Sequence, residues 1–282
     1  MNCAPIPNAK KQKPMPIQKF HLKLAGRTLH LCFELDSEFY SDQVLAQILP
    51  QGVLPEPEVI NALPHLVSRG DTVVDAGANI GFFTIILSKL VGTDGTVIAI
   101  EPDPRNRKKL LKNLDINGCP NVIVYEHPLA EIEEERKFYI QGENGSSTLY
   151  DGADPGRSGI LVDTQMMHVR TLSDIIGDTK PTFLKMDIEG AELEAMKGCH
   201  YRFPAVIAEM NTEALGRAGT SIEKFRFWME TIQGYDMHIL SETGSMPAKI
   251  AGFQRLVPTK QNANVLFAKE WNVARAWPEV KI

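Results

Sequence analysis

Five short apolar runs, separated by stretches with helical spacing, occupy the chain from Asp71 onward. Residues 72–74, 97–100, 121–125, 182–186 and 204–208 have strand length and are rich in Val and Ile. The clearest helix between them is predicted over 104–117. Asp103 supplies the N-cap, Pro104 the first helical position, Leu110, Leu111 and Leu114 the apolar face, and Gly118 the stop. Strands that alternate with helices build βαβ units. The expected fold is therefore α/β, a mostly parallel sheet with helices on both faces. Residues 235–240 and 263–268 add two last strands, read as a terminal hairpin.

The flanks have a different texture. Residues 1–17 carry four prolines and Lys10, Lys11 and Lys13 with little to bury, and are predicted to be a disordered tail. From Phe20 to Leu35 apolar and polar residues alternate, with a break at Ala25-Gly26-Arg27, which is a hairpin pattern. Two short helices follow, at 41–49 and 56–68, with Pro55 and Pro57 at the start of the second. Residues 18–70 thus form an N-terminal unit on the substrate side of a main domain at 71–270, and 271–282 are a C-terminal extension. Residues 133–170 are an insertion, in which strands at 137–140 and 166–169 flank a polar, Gly-rich loop long enough to be functional. Thr220 and Glu223 suggest a capping box for a helix with Ile222, Phe225, Trp228 and Ile232 inward.

Composition excludes several classes. A net charge of -5 argues against nucleic acid or anionic membrane as partner. The longest apolar stretch, 82–87, is too short to span a bilayer. Cys3, Cys32, Cys119 and Cys199 lie far apart and form no CxxC pair, so neither a zinc knuckle nor a disulfide framework is expected. The N-terminus has lysines but no apolar h-region, which leads to the expectation of a cytoplasmic protein.

The strand-to-helix turn Val74-Asp75-Ala76-Gly77-Ala78-Asn79-Ile80-Gly81 falls where open α/β sheets bind ligands. A dinucleotide fold wants G-x-G-x-x-G; here the spacing is G-x-x-x-G, with Asn79 in place of the middle glycine. No Gly-Lys-Ser/Thr follows, so a P-loop is absent as well. The turn suits a ligand without phosphate. S-adenosylmethionine (SAM) is one, and Asp75 with the free amides of the turn matches its amino-acid end. Glu101 ends the second strand 24 residues after Gly77, close to the spacing of an acid that binds ribose hydroxyls. The plain structural alternative is a tight turn needing its glycines and a solvated strand-end glutamate.

A second acidic group ends the fourth and fifth strands. Asp187 is the first candidate for a catalytic base and Glu209 the second, because both sit at strand ends beside the turn. Asp187, Glu209 and Asn211 also form a candidate oxygen-ligand set for a divalent cation such as Mg²⁺, or a set that hydrogen-bonds substrate and cofactor. Glu192 is read as a helix-start residue, and Glu189 as either that or a ligand contact. His127 and His168 are read as satisfied or exposed, Cys119 as incidental, and Ser146-Ser147 as loop residues that need no ligand. Arg105, Arg107, Lys108 and Lys109 are read as the solvated face of their helix.

The segments VVDAGANIGFFTI, AIEPDPRNRKKLLKNLDINGCPNV and FLKMDIEGAELEAMKG resemble the FkbM-type SAM-dependent methyltransferases, in order and spacing, over about 70–212. The resemblance implies a Rossmann-like class I methyltransferase fold of seven strands, one reversed near the C-terminus. It implies methyl transfer to oxygen, to a hydroxyl of a sugar, polyketide or similar natural product. By position it places Asp75, Gly77 and Asn79 at the methionine side of the cofactor, Glu101 at the ribose, and 128–130, Leu129 among them, by the adenine. Thr171-Leu172-Ser173-Asp174 departs from the Thr-Leu-Asp-Asp that the family often carries there. The implied partner is a hydroxylated small molecule, and the assembly state stays open, a homodimer included. Two other classes compete: an NAD-dependent oxidoreductase with an unusual turn, and a catalytically inactive binding module in a biosynthetic complex. Nucleic-acid methylation lacks its Asn/Asp-Pro-Pro-Tyr/Phe-type motif.

Overall fold

The computed structural model describes residues 17–24, 26–35, 40–142, 147–151, 161–249 and 262–277. The expected tail before Ile17 and most of the Gly-rich loop lie outside them. The chain opens with strands β1 (Ile17–Leu24) and β2 (Arg27–Glu34), then helices α1 (Tyr40–Ile48) and α2 (Pro57–Leu66). β3 (Thr72–Ala76), α3 (Phe82–Val91), β4 (Thr96–Ile100), α4 (Pro104–Asn117) and β5 (Val122–Tyr125) follow as consecutive βαβ units. The insertion contributes β6 (Glu134–Gln141) and β7 (Leu161–Val169), which pair antiparallel as a separate ribbon. After α5 (Leu172–Ile176) come β8 (Phe183–Met186), α6 (Glu192–Lys197), β9 (Ala205–Asn211), α7 (Thr212–Arg217) and α8 (Ile222–Phe227). The chain then adds β10 (Asp236–Ile239), β11 (Ala248–Lys249), β12 (Asn262–Ala268) and α9 (Glu270–Ala276).

The main sheet has the spatial order β11-β10-β12-β9-β8-β3-β4-β5. β9, β8, β3, β4 and β5 run parallel, and β12 is antiparallel to both β9 and β10. This is the Rossmann-like α/β sheet expected, with the reversed strand near the C-terminus. It has eight strands rather than seven. The extra one, β11, is a two-residue pairing on the outer edge of β10, too short to carry a hydrophobic pattern. The topology reverses at β3, where the chain leaves first toward β4 and β5 and later returns as β8, so a crevice opens at the carboxyl ends of β4, β3 and β8.

Strand alternation divides the core. Val73 of β3 packs with Ile85, Ile86 and the N-terminal unit on one face, whereas Val74 and Ala76 pack with Leu184, Met186 and Met210 on the other. The β1–β2 hairpin docks on α4 through two asparagines. Asn117 bonds both the N–H and the carbonyl of Cys32, and Asn113 Oδ1 accepts from Glu34 N while its amide donates to Ile80 O. These contacts satisfy an edge strand that would otherwise expose unpaired backbone groups.

α4 starts at Asp103, whose side chain accepts from Arg105 N, and stops at left-handed Gly118, as expected. Leu111 departs from expectation: it is 53% exposed, and Asn106 and Asn113 take the buried positions instead. Its basic run is not a solvated face either. Arg105 pairs with Asp103, Arg107 with Glu126 and Lys109 with Asp42, leaving only Lys108 of the four exposed. Farther on, Ser221 rather than Thr220 caps α8. A π-helical turn at Trp228–Ile232 then shifts the phase, so Met229 is buried while Ile232 is 51% exposed. Among the described residues no helix is long and apolar enough to cross a membrane.

Candidate active site

The turn after β3 is held by its neighbours on both sides. Gly77 N and Ala78 N donate to Ile100 O of β4, and Asp187 N after β8 donates to Ala76 O. Gly77 has φ +85°, and a Cβ on it would lie 1.8 Å from the carbonyl oxygen of Asp187. The residue is glycine because the β8 loop crosses directly over it. Gly81, at φ +96°, caps α3, and its Cβ would sit 2.7 Å from Leu110. The glycine spacing thus records backbone crossing and helix packing. Asn79 between them is left-handed at φ +50°, a conformation this residue type tolerates.

Glu101 closes the other wall. Its Oε2 accepts from Asn79 N at 2.7 Å and its Oε1 from Asp103 N at 2.8 Å. It is 5% exposed, and burial pushes its carboxyl up to about 8 against the two backbone bonds that favour the charge. The 75–81 turn and the end of β4 therefore meet through the Glu101 carboxylate itself.

A cavity of ≈ 390 Å³ runs along this sheet edge. At the β4–β5 end it is walled by Glu101, Pro102, Pro128 and Leu129, and in the middle by Gly77, Ala78 and Asn79. At the β8–β9 end stand Lys185, Asp187, Glu189 and Glu209. The insertion covers one side with Phe138, Thr148 and Leu149, and the N-terminal unit covers another with Leu45, Pro55 and Glu56. Ser147 ties the insertion down, donating to Asp103 Oδ2 at 2.7 Å, while Thr148 Oγ1 donates to Glu189 O. The side-chain oxygen of Asn79 is buried without a donor.

Lys185 organises the acidic end. Its ammonium lies 3.5 Å from Asp187 Oδ2 and 4.5 Å from the centre of the Phe83 ring, and its side chain is 3% exposed. Burial works against its charge, but Glu56, Asp187, Asp75 and Glu209 outweigh it and hold the ammonium above the ordinary lysine range. The carboxyls of Glu56 and Glu209 are both pushed upward, chiefly by burial; neighbouring carboxylates add to this, and Lys185 opposes it at Glu56. Glu56 enters from left-handed backbone (φ +44°) between Pro55 and Pro57, and its Oε2 accepts from Asn264 at 3.1 Å. Neither Glu56 nor Lys185 was among the expected site residues. Lys185 had a signal, a lone charge inside the apolar strand FLKM. Glu56 had only its two flanking prolines.

The expected residues divide accordingly. Gly77, Asn79, Glu101, Leu129, Asp187 and Glu209 all line the cavity. Asp75 does not line it. Strand parity turns its side chain to the α3 face, where Thr84 Oγ1 donates to Oδ2 at 2.6 Å and Lys185 lies opposite across the β3–β8 pair. Asn211 leaves the expected ligand set too: its Oδ1 accepts from Glu213 N and Ala214 N and so caps α7. Among the described residues no group of three or more His, Cys, Asp or Glu side chains is placed to hold a metal ion. Glu192 Oε1 accepts from Ile188 N and Gly190 N, the helix-start role expected, whereas Glu189 faces the cavity 3.8 Å from Arg217. His127 Nδ1 meets His168 O, and His168 Nδ1 meets Glu135.

The methyltransferase FkbM domain model matches residues 75–240, more than half of the chain. "Methyltransferase 1" of Beauveria bassiana is 28% identical over 144 residues, 45% of this chain and 57% of that protein. "Hexuronic acid methyltransferase AglP" of Haloferax volcanii is 28% identical over 149 residues, 51% of this chain and 56% of that protein. The chain thus matches little more than half the length of either relative. A crystal structure of a SAM-dependent O-methyltransferase from Thermotoga maritima aligns with 88% of this chain and 77% of that one, at 13% identity and a TM-score of 0.45.

Proposed function

The chain belongs to the FkbM methyltransferase family, and on that premise we propose that it moves a methyl group from SAM to a hydroxyl of a small molecule, a sugar or a related polyhydroxylated natural product. The observation that carries the cofactor reading is the Glu101 carboxylate, buried in the wall of a cavity whose size is ordinary for a ligand site.

The residues present fit the cofactor. Each Glu101 oxygen already accepts one backbone N–H and keeps a lone pair, so the pair can accept from vicinal ribose hydroxyls. Pro128 and Leu129 offer an apolar wall for adenine, and the donorless amide oxygen of Asn79 can accept from an ammonium. Bound there, SAM supplies an electrophilic methyl group. This chain's part is to align an acceptor oxygen, exclude water and take the hydroxyl proton. Asp187 is suited by position to taking that proton: it lines the β8 end of the cavity, held 3.5 Å from the Lys185 ammonium, with a side chain still 28% exposed. Glu209 stands next to it as the second candidate. The sugar class is supported by the hexuronic acid named for the Haloferax relative.

Mass spectrometry of the purified protein for co-bound SAM or its demethylated product tests the cofactor. Labelled-methyl transfer over hydroxylated sugars and polyketides, with and without Mg²⁺, tests the acceptor. Glu101→Ala is expected to weaken SAM binding about 10- to 100-fold, since charged hydrogen bonds contribute about 1.5–3 kcal/mol. The pH dependence follows from the same group. The folded protein holds the Glu101 proton up to about 8, whereas the unfolded value is 4.5, so this contribution to stability is present below 4.5 and lost as pH rises toward 8. Ribose hydroxyls favour the ionised form; binding below pH 8 should therefore release a proton, and affinity should rise up to that pH. Calorimetry in two buffers of different ionisation enthalpy reads this release, and an unchanged affinity in the variant removes Glu101 from the site. With an acceptor in hand, Asp187→Asn should lower turnover at least about 100-fold while SAM affinity changes less than about tenfold. Near-normal turnover would reassign the base.

A further inference from the structure

The cavity is electrostatically lopsided. Among the described residues its β4–β5 end holds one carboxyl, Glu101, among apolar walls, whereas its β8–β9 end gathers Glu56, Asp187 and Glu209 around one ammonium, that of Lys185. Three different parts of the chain deliver those carboxyls: the N-terminal unit, the β8 loop and β9. Glu56 is fixed in place by Asn264 from β12, on a residue outside the family match. Lys185 is shared four ways, because Asp75 also faces it from behind the turn. The other described charges near this end do not redress the balance. Glu189 has Arg217 at 3.8 Å, Glu58 shares the Asn264 amide with Glu56, and Glu192 is bonded to the loop amides before α6. Burying several carboxyls around one ammonium is costly: they hold protons rather than all ionise, until a further cation favours their charged forms. A second, separate observation is that Asn79, which lines the middle of the cavity, has a buried side-chain oxygen without a donor.

Adjacent strands are about 4.8 Å apart, so a ligand whose ribose is at Glu101, just past β4, reaches the end of β8 within two strand spacings. The group attached next to the ribose therefore falls toward the acidic end. Resting on the cofactor reading above, we infer that Glu56, Asp187 and Glu209, balanced among the described residues by Lys185 alone, make the β8–β9 end of the cavity selective for a cationic group, so that the protein holds sulfonium-bearing SAM more tightly than the uncharged thioether S-adenosylhomocysteine. Burial raises the carboxyls of Glu56 and Glu209, as expected for groups that lack a sufficient counter-charge. The consequence is weak product inhibition. Glu56 is the specificity-determining residue, since it adds a carboxyl, ionised at least cost beside a cation, from beyond the motifs that build the sheet edge.

Calorimetric titration of the full chain with SAM, with sinefungin (an amine in place of the sulfonium) and with S-adenosylhomocysteine tests this directly, in EDTA and again in millimolar Mg²⁺. SAM and sinefungin should each bind about tenfold tighter than S-adenosylhomocysteine, in both media. Glu56→Gln should narrow that ratio about threefold by weakening the two cations while leaving the thioether's affinity in place; a thermal melt establishes that the variant is folded. Equal affinities in the wild-type protein overturn the inference even if Glu56→Gln does not fold. A preference that Mg²⁺ abolishes overturns it too, because the cation the acids await is then a metal. If none of the three ligands binds, the cofactor reading falls, and this inference with it.

Discussion

Gly77→Ala should leave little folded protein. The new methyl carbon would sit 1.8 Å from the Asp187 carbonyl oxygen and 2.8 Å from its carbonyl carbon, and neither atom belongs to a flexible side chain. The obstacle is backbone, pinned by the bond from Asp187 N to Ala76 O. Relief requires β3 and the β8 loop to separate at the centre of the parallel sheet. A left-handed φ of +85° adds strain for any residue with a Cβ. Overpacking against a rigid partner together with that strain places the loss at about 4 kcal/mol or more, among the largest single-site effects. In a chain of this size each kcal/mol moves the midpoint by roughly 2–4 °C, so a drop of about 10 °C or a failure to accumulate is expected. Gly52→Ala is the control. Gly52 is also left-handed, at φ +73°, but nothing lies within 4 Å of its Cβ position, so only the conformational cost of about 1 kcal/mol applies. Equal melting points for the two variants would mean that the loop does not cross the turn as described.

That glycine also marks what a linear reading could and could not reach. Its presence in the strand-to-helix turn was legible, and so were the α/β alternation and both ends of α4, because caps, stops and apolar period are local. Its cause was not legible: the crossing partner, Asp187, is more than a hundred residues away. Asp75 failed for a related reason. It sits in a strand, and which face a strand residue serves depends on what packs there, here Thr84 and Lys185. Asn211 was correctly placed at a strand end, but the same amide can ligate a metal or cap a helix, and α7 begins one residue later. The β8–β9 end of the cavity was visible as Asp187 and Glu209. Its counter-charge and its third acid were not assembled, because Glu56 reaches the cavity only through the packing of the N-terminal unit.

Lys185→Met should expose how far that end depends on one ammonium. Methionine nearly matches the lysine stem, so packing against Phe83 is retained and the change is mostly electrostatic. Asp187 loses its ion pair, and Asp75, Glu56 and Glu209 lose the charge that opposes their burial. Removing one partner of a buried ion pair costs about 3–5 kcal/mol, because the remaining charges stay desolvated. The cost should depend on pH with a definite sign. Burial already raises Glu56, Glu209 and Asp75 in the wild type; without the ammonium the folded protein holds further protons on this group at pH values where the unfolded chain has released them. Its stability then falls as pH rises, by about 1.4 kcal/mol per unit for each extra proton held. Lys185 itself adds nothing to the slope below pH 8, since its ordinary value is 10.5 and its folded value is higher. The gap between wild type and variant should therefore be modest at pH 5 and widest near pH 8, with the variant melting about 10 °C lower there. SAM should recover part of that loss, because a bound cation replaces the missing one, and S-adenosylhomocysteine should recover less. A gap that is the same at both pH values, or equal rescue by the two ligands, would show that Lys185 acts through packing and not through charge.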